Sequence, residues 1–164
     1  MDIKYTIKDN FLNQADYESI KKIIMGDEFP WYFQQTVASP KKHDSQFYWA
    51  HTFFNRTRGI LSPFYGTLVP LFKALEAKAF IRVRANLYPN QGKIIEHAYH
   101  ADFPFKHKGA LFSLNTCNGF TALADGTKIK SVANRLLMFD TSTKHHSSTC
   151  TDAKVRCNIN VNYF

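Results

Sequence analysis

The chain predicts a mainly β protein of the α+β type, a β-sandwich or jelly roll backed by N-terminal helices. Three observations carry that expectation. Helical periodicity is confined to the first half. From Phe80 onward the pattern changes to about eight short segments of strand character. Two of those segments alternate apolar and polar residues over most of their length.

Residues 13–25, NQADYESIKKIIM, form the first predicted helix, with Asn13 as its N-cap and Tyr17, Ile20 and Ile24 at helical spacing. A second helix is expected from Ser62-Pro63, a cap followed by a proline in the first turn, with Phe64, Leu68, Leu71 and Leu75 as its apolar stripe. Pro70 falls inside that stripe and predicts a kink or break. Strands are expected at 80–89, 97–103, 109–116, 119–124, 127–131, 135–140, 144–149 and 154–163, with Asp125-Gly126 as a hairpin turn between two of them. Between the helices, residues 31–58 are rich in aromatic and basic side chains, among them Trp31, Tyr48, Trp49, His51 and Arg56. They form a candidate lid, and none is assigned as a site residue.

A length of 164 residues implies a single domain, with N-terminal helices and strands over 1–79 and the jelly-roll core over 80–164. The three cysteines Cys117, Cys150 and Cys157 are odd in number and lack CxxC spacing, so reduced thiols are expected rather than disulfides or zinc ligands. No run resembles a secretory signal or approaches the ~20 apolar residues of a membrane span. The expectation is a soluble, cytoplasmic protein with no membrane partner; oligomeric state is not indicated. The net charge is +8 and the pI about 9.4. The basic residues are dispersed, as Lys41-Lys42, Arg56 and Arg58, Lys106 and Lys108, Lys128 and Lys130. A solvated basic surface is favoured over a nucleic-acid-binding one.

The alternating segments are informative. In IRVRANLY, Ile81, Val83, Ala85 and Leu87 share one face, and Arg82, Arg84, Asn86 and Tyr88 share the other. In VRCNINVN, Val155, Cys157, Ile159 and Val161 oppose Arg156, Asn158, Asn160 and Asn162. Solvent is one destination for such polar rows. Arginine, asparagine and tyrosine are unusual there, so the rows also fit a cavity wall, with the apolar faces packed on the helices.

The stretch HADFPF places His100 and Asp102 two residues apart, where an extended chain points both the same way. Two imidazoles and one carboxylate on one side of an iron make the facial triad of non-heme Fe(II) oxygenases. The candidates for a third ligand are His107, His145 and His146, of which His107 is too near in sequence to be a good one. Arg156 follows on a strand with a polar row, and its guanidinium suits a dicarboxylate.

This order of residues resembles that of the Fe(II)/2-oxoglutarate-dependent dioxygenases, in particular the prolyl-4-hydroxylase-like branch. Tyr88-Pro89 with the turn at Asn90-Gln91-Gly92, Leu114-Asn115, Arg135-Leu136-Leu137 and the terminal RCNINVNYF resemble that branch's segments over residues 80–164. The DNFL and FPWYF stretches between residues 9 and 33 are similar to small stand-alone members carried by tailed bacteriophages. The resemblance implies a double-stranded β-helix (jelly roll) fold. It implies Fe(II) held by His100, Asp102 and His145, the last favoured over His146 because HHSS resembles the family's His-x-Gly/Ser. It also implies 2-oxoglutarate as cosubstrate, held by Arg156 and Tyr88 with Asn158 as a weaker contact, with O2 as oxidant and ascorbate as an auxiliary reductant. Ser113 departs from the pattern, standing where the branch often has a tyrosine. The implied reaction hydroxylates a C–H bond of a peptide or protein, a prolyl side chain first. The alternatives are an oxygenase of the same type acting on a nucleic-acid base, and a non-catalytic cupin-like metal-binding module.

Overall fold

The computed structural model describes residues 4–38 and 46–164. The Lys41-Lys42 pair and the centre of the candidate lid lie outside the described residues. The helix α1 (Gln14–Ile24) is capped by Asn13, whose side-chain oxygen accepts the Asp16 N–H at 3.0 Å. Its buried stripe is Tyr17, Ile20 and Ile24, as the spacing predicts. The second helical region begins where Ser62 accepts the Phe64 N–H, but it divides in two. A 3-10 helix spans Pro63–Leu68 and α2 covers Val69–Leu75. Pro70 stands in the first turn of α2, where a missing N–H leaves no bond unmade, so the expected break becomes the junction between the two.

The strands are β1 (Tyr5–Lys8), β2 (Tyr32–Gln34), β3 (Tyr48–Asn55), β4 (Gly59–Ile60), β5 (Phe80–Pro89), β6 (Lys108–Ser113), β7 (Phe120–Leu123), β8 (Lys128–Lys130), β9 (Leu136–Asp140), β10 (His145–Ser147) and β11 (Val155–Tyr163). Among the described residues they form an eight-stranded sheet, ordered β1-β9-β6-β11-β5-β3-β2 with β4 paired to β3, and a three-stranded sheet ordered β10-β7-β8. Every pairing is antiparallel. Strands from both halves of the chain share the large sheet. The hairpin turn at Asp125-Gly126 joins β7 to β8, with Gly126 at φ 88°.

Two faces of the large sheet have different fates. Val83, Ala85, Ala110, Phe112, Cys157, Ile159 and Val161 pack against Tyr17, Ile20, Ile24, Leu68, Leu71 and Leu75 of the helices. The opposite face looks toward the small sheet, and Leu123 and Ile129 join Leu137 and Phe139 in a second core. The polar rows of β5 and β11 therefore lie inside the sandwich.

One predicted strand is absent as a ladder. Residues 97–103 form no ladder; isolated bridges link His100 to His145 of β10 and the preceding Glu96 to Ser148, just past β10. The backbone bonds His97 N–H to Ser147 O, His100 N–H to His145 O and Asp102 N–H to Thr141 O, each 2.9 Å, hold the segment at separate points.

Candidate metal centre and cosubstrate pocket

Register builds the site. Antiparallel pairing of β11 with β5 sets Arg156 opposite Tyr88, Asn158 opposite Asn86, Asn160 opposite Arg84 and Asn162 opposite Arg82. Four polar pairs thus step along one wall, about 7 Å per step. At one end stands Asp102. At the other stands Arg156.

The mutual bridge between His100 and His145 brings their rings to 4.6 Å, and Asp102 follows two residues on. One donor atom from each of His100, Asp102 and His145 lies within 4.8 Å of the other two. The tautomers are set by backbone. His100 Nδ1 lies 3.3 Å from Ala98 O and His145 Nδ1 lies 3.0 Å from Thr143 O. Each Nδ1 is therefore the donor, and each Nε2 is left as a lone pair for a metal. Burial lowers the His145 pKa, more than the nearby Asp102 carboxylate raises it, which favours the neutral, ligating form.

Asp102 is buried, which would raise its pKa, yet the Arg82 guanidinium, His145 and the amides of Asn160 and Asn162 hold it down at about 2. Arg82 Nη2 donates to Oδ1 at 2.9 Å, while Asn160 and Asn162 donate to Oδ2 at 3.0 and 2.8 Å. Oδ1 accepts only the Arg82 bond and lies 3.8 Å from His100 Nε2, so a lone pair remains on the side of the histidines.

The other histidines are occupied elsewhere. His146 Nε2 lies 3.4 Å from Glu96, and its ring meets Tyr99 edge-on. His107 uses Nδ1 on Phe105 O and Nε2 on the Thr141 hydroxyl, both at 2.8 Å. His97 lies against the Tyr88 ring, with Nδ1 on Ser147 Oγ at 2.8 Å.

At the far end Arg156 is 2 % exposed, and no carboxylate pairs with it among the described residues. Nη1 donates to Ser148 O at 3.2 Å and Nη2 to Thr121 Oγ1 at 2.8 Å, while buried Nε has no partner. Burial lowers its pKa by disfavouring the charge. Such a cation lacks an anion, and a carboxylate fits the remaining N–H groups. Tyr88 packs its ring 5.7 Å from the guanidinium. The Asn158 carbonyl accepts from Asn86 at 3.2 Å, which leaves its own amide N–H groups free to donate. Ser113 lines the space beside Arg156 with Thr121 and Asn158.

The structure therefore gathers His100, Asp102 and His145 at one end of the wall and Arg156 and Tyr88 at the other, with Asn158 between. Sequence reasoning assigned no role to Arg82, Asn160, Asn162 or Thr121. The first three stood in the polar rows at two-residue steps from Tyr88 and Arg156, which is the signal that could have found them.

Fold and site define a double-stranded β-helix holding a cluster of two histidines and one carboxylate. Solved structures with this architecture include a Trichoplax adhaerens prolyl hydroxylase in complex with a hypoxia-inducible-factor peptide fragment (TM-score 0.70, 17% identity, 98% of this chain and 83% of that one). The viral collagen prolyl hydroxylase of Paramecium bursaria chlorella virus 1, in complex with 2-oxoglutarate, is similar at TM-score 0.64 and 14% identity, covering 96% of this chain and 94% of that one. The non-heme α-ketoglutarate-dependent epimerase SnoN of nogalamycin biosynthesis is similar at TM-score 0.66 and 13% identity, covering 99% of this chain and 78% of that one. No protein-family model and no curated protein matches the chain. The architecture is thus that of the 2-oxoglutarate-Fe(II) oxygenases. Two of these neighbours are hydroxylases and one is an epimerase, so the fold by itself does not choose the reaction.

Proposed function

We propose that the chain is an Fe(II)- and 2-oxoglutarate-dependent dioxygenase that hydroxylates a C–H bond of a peptide or protein, with a prolyl side chain as the first candidate. One observation carries the reading: a cluster of two histidines and a carboxylate shares a wall with a buried arginine that, among the described residues, has no carboxylate of its own. In this reading His100, Asp102 and His145 hold the metal, and Arg156 takes the distal carboxylate of 2-oxoglutarate. Tyr88 closes over that end, and Asn158 offers its amide to the cosubstrate. When bound, the metal and 2-oxoglutarate supply oxidation by O2 coupled to decarboxylation of the cosubstrate to succinate.

The chain's own residues do the positioning. Arg82, Asn160 and Asn162 keep Asp102 ionised and fix its plane. The carbonyls of Ala98 and Thr143 aim the two Nε2 atoms inward. The small sheet covers the Arg156 end, where Thr121 and Ser148 O hold the guanidinium away from water. Peptide recognition by a similar prolyl hydroxylase supports the substrate class.

The test is spectroscopic. Anaerobic protein with Fe(II) and 2-oxoglutarate is expected to give a visible metal-to-ligand charge-transfer band, and a His100→Ala/Asp102→Ala variant is expected to lose it. A wild-type protein without the band, or a double variant that keeps it, would overturn the assignment. Mass spectrometry of prolyl peptides incubated with the aerobic enzyme should then find the gain of one oxygen atom.

A further inference from the structure

A cavity of about 270 Å³ opens on the metal-binding end of the wall, lined by Tyr48, Arg82, Arg84, Asn86, His100 and Asp102 among others. Two guanidinium groups face it, and their situations differ. Arg82 is neutralised by Asp102 at 2.9 Å. Arg84 makes no ion pair and no side-chain hydrogen bond to a protein group among the described residues, and its buried Nε has no partner. Its guanidinium lies over the Tyr48 ring at 5.4 Å and acts electrostatically on the Tyr88 hydroxyl.

Position separates Arg84 from the cosubstrate clamp. Arg84 is level with Asn160, which bonds Asp102. Arg156 is level with Tyr88, four residues along β5, or about 13 Å of strand. A cosubstrate stretched between Arg156 and the metal fills the intervening Asn86–Asn158 step. Arg84 faces the cavity beside Tyr48 and the His100–Asp102 pair, and the same cavity reaches Asn86 and Tyr88 at its other end.

We infer that the substrate carries a side-chain carboxylate close to the carbon that is oxidised, and that Arg84 receives it. The inference rests on the oxygenase reading above and adds a substrate class to it. A single unpaired guanidinium matches one carboxylate, held by charge-assisted hydrogen bonds. Nucleic acid fits less well: a polyanion needs several cations, and among the described residues the cavity offers two arginines beside Val37, Ala38 and Ala101.

A randomised library of short peptides with a fixed central proline, equilibrated anaerobically with the Fe(II)- and 2-oxoglutarate-loaded protein, provides the test. Retained peptides should be enriched about tenfold in Asp or Glu over Asn or Gln next to the proline, the discrimination expected for a charge-assisted pair. Arg84→Gln should abolish the enrichment and Arg84→Lys should keep most of it. Wild-type retention without acidic enrichment overturns the proposal. So does enrichment that survives in Arg84→Gln, or preferential retention of a random oligonucleotide over the peptides. If Arg84→Gln weakens 2-oxoglutarate binding and leaves peptide selection intact, the arginine belongs to the cosubstrate and the proposal falls. The charge-transfer band of the same wild-type sample reports the oxygenase reading separately: its absence removes that reading, whereas a normal band with no acidic enrichment removes only this one.

Discussion

The two faces of β5 and β11 are both largely buried and built on opposite principles. On the helix-backed face Val83, Ala85, Ile159 and Val161 are fully enclosed by apolar neighbours. On the inner face Asn86, Arg156, Asn158 and Asn162 are buried as well. Five of the eight buried side-chain atoms that lack a hydrogen-bond partner among the described residues belong to this face: Nε of Arg82, Arg84 and Arg156, and Oδ1 of Asn160 and Asn162. Native interiors keep such atoms few. Their concentration on one face of one pair of strands sets an outer face satisfied by packing against an inner face with unmet polar groups, which in the proposed reading are left for ligands at a cost in stability.

Matched substitutions on the two faces break or sharpen that contrast. Phe112, fully buried against Phe11 and Tyr17, should cost about 3–5 kcal/mol when replaced by alanine, through lost burial and the cavity left behind. Arg156→Met should do the opposite kind of damage. Stability to denaturant should fall by less than about 1 kcal/mol or rise, because an unpaired buried cation is exchanged for an apolar chain. The 2-oxoglutarate-dependent band should be lost. If Arg156→Met unfolds the protein as readily as Phe112→Ala, the inner face is structural after all.

A smaller effect is expected where the faces meet the segment that carries His100 and Asp102. Gly109 lies opposite Asn162, and a Cβ there would overlap the Thr141 side chain. Thr141 O accepts the Asp102 N–H at 2.9 Å, and its hydroxyl bonds His107 and Asn162. Gly109→Ala should therefore cost about 1–3 kcal/mol by overpacking and also weaken Fe(II) binding. Adding Thr141→Ser removes the clashing methyl and should restore part of both losses. Independent, additive effects in this double-variant cycle would show that the close approach does not matter.

How much of this could be read from the sequence depended on whether a local pattern recorded the burial. β5 and β11 each have one wholly apolar stretch of face, so their period of two was legible, and so was the possibility that the polar rows line a cavity. β3, YWAHTFFN, was not legible as a strand. Tyr48, Ala50, His51 and Phe53 are all buried, and the register with β5 shifts between Thr52 and Phe54, so the alternation slips in the middle. β1 is a four-residue edge strand with every residue exposed, and its alternation of Tyr5 and Ile7 with Thr6 and Lys8 is too short to mark it. The His100-x-Asp102 spacing was visible locally. The clamp on Asp102 was not, because Arg82, Asn160 and Asn162 reach it from 20 to 60 residues away through a register that only the folded sheet sets. His145 and His146 are adjacent in sequence, and what separates them is the Glu96 carboxylate beside one and the Thr143 carbonyl beneath the other.

The smallest effect concerns a group that belongs to neither face cleanly. His97 lies between the Tyr88 ring and Ser147, and its Nε2 is buried without a partner. Burial first, then the charges of Arg156, His146 and His100, lower its pKa from 6.5 to about 3. In the unfolded chain the same imidazole takes up a proton below pH 6.5, whereas the native protein does not until about pH 3. The unfolded state therefore binds more protons throughout that window. Stability contributed by the neutral ring is fully present above 6.5 and is lost as the pH falls, at up to about 1.4 kcal/mol per pH unit. Between neutrality and one unit below the ordinary imidazole value the loss should be about 1 kcal/mol. His97→Asn keeps a polar group facing Ser147 and has no proton to gain. Denaturant titrations of wild type and variant at the two pH values should differ in their pH dependence by that amount, since His51 and His145, also lowered by burial, contribute to both proteins alike. Equal slopes would mean that the His97 ring takes up its proton as readily in the native protein as in the unfolded chain, and that the inner face is wetter at the Tyr88 end than its burial implies.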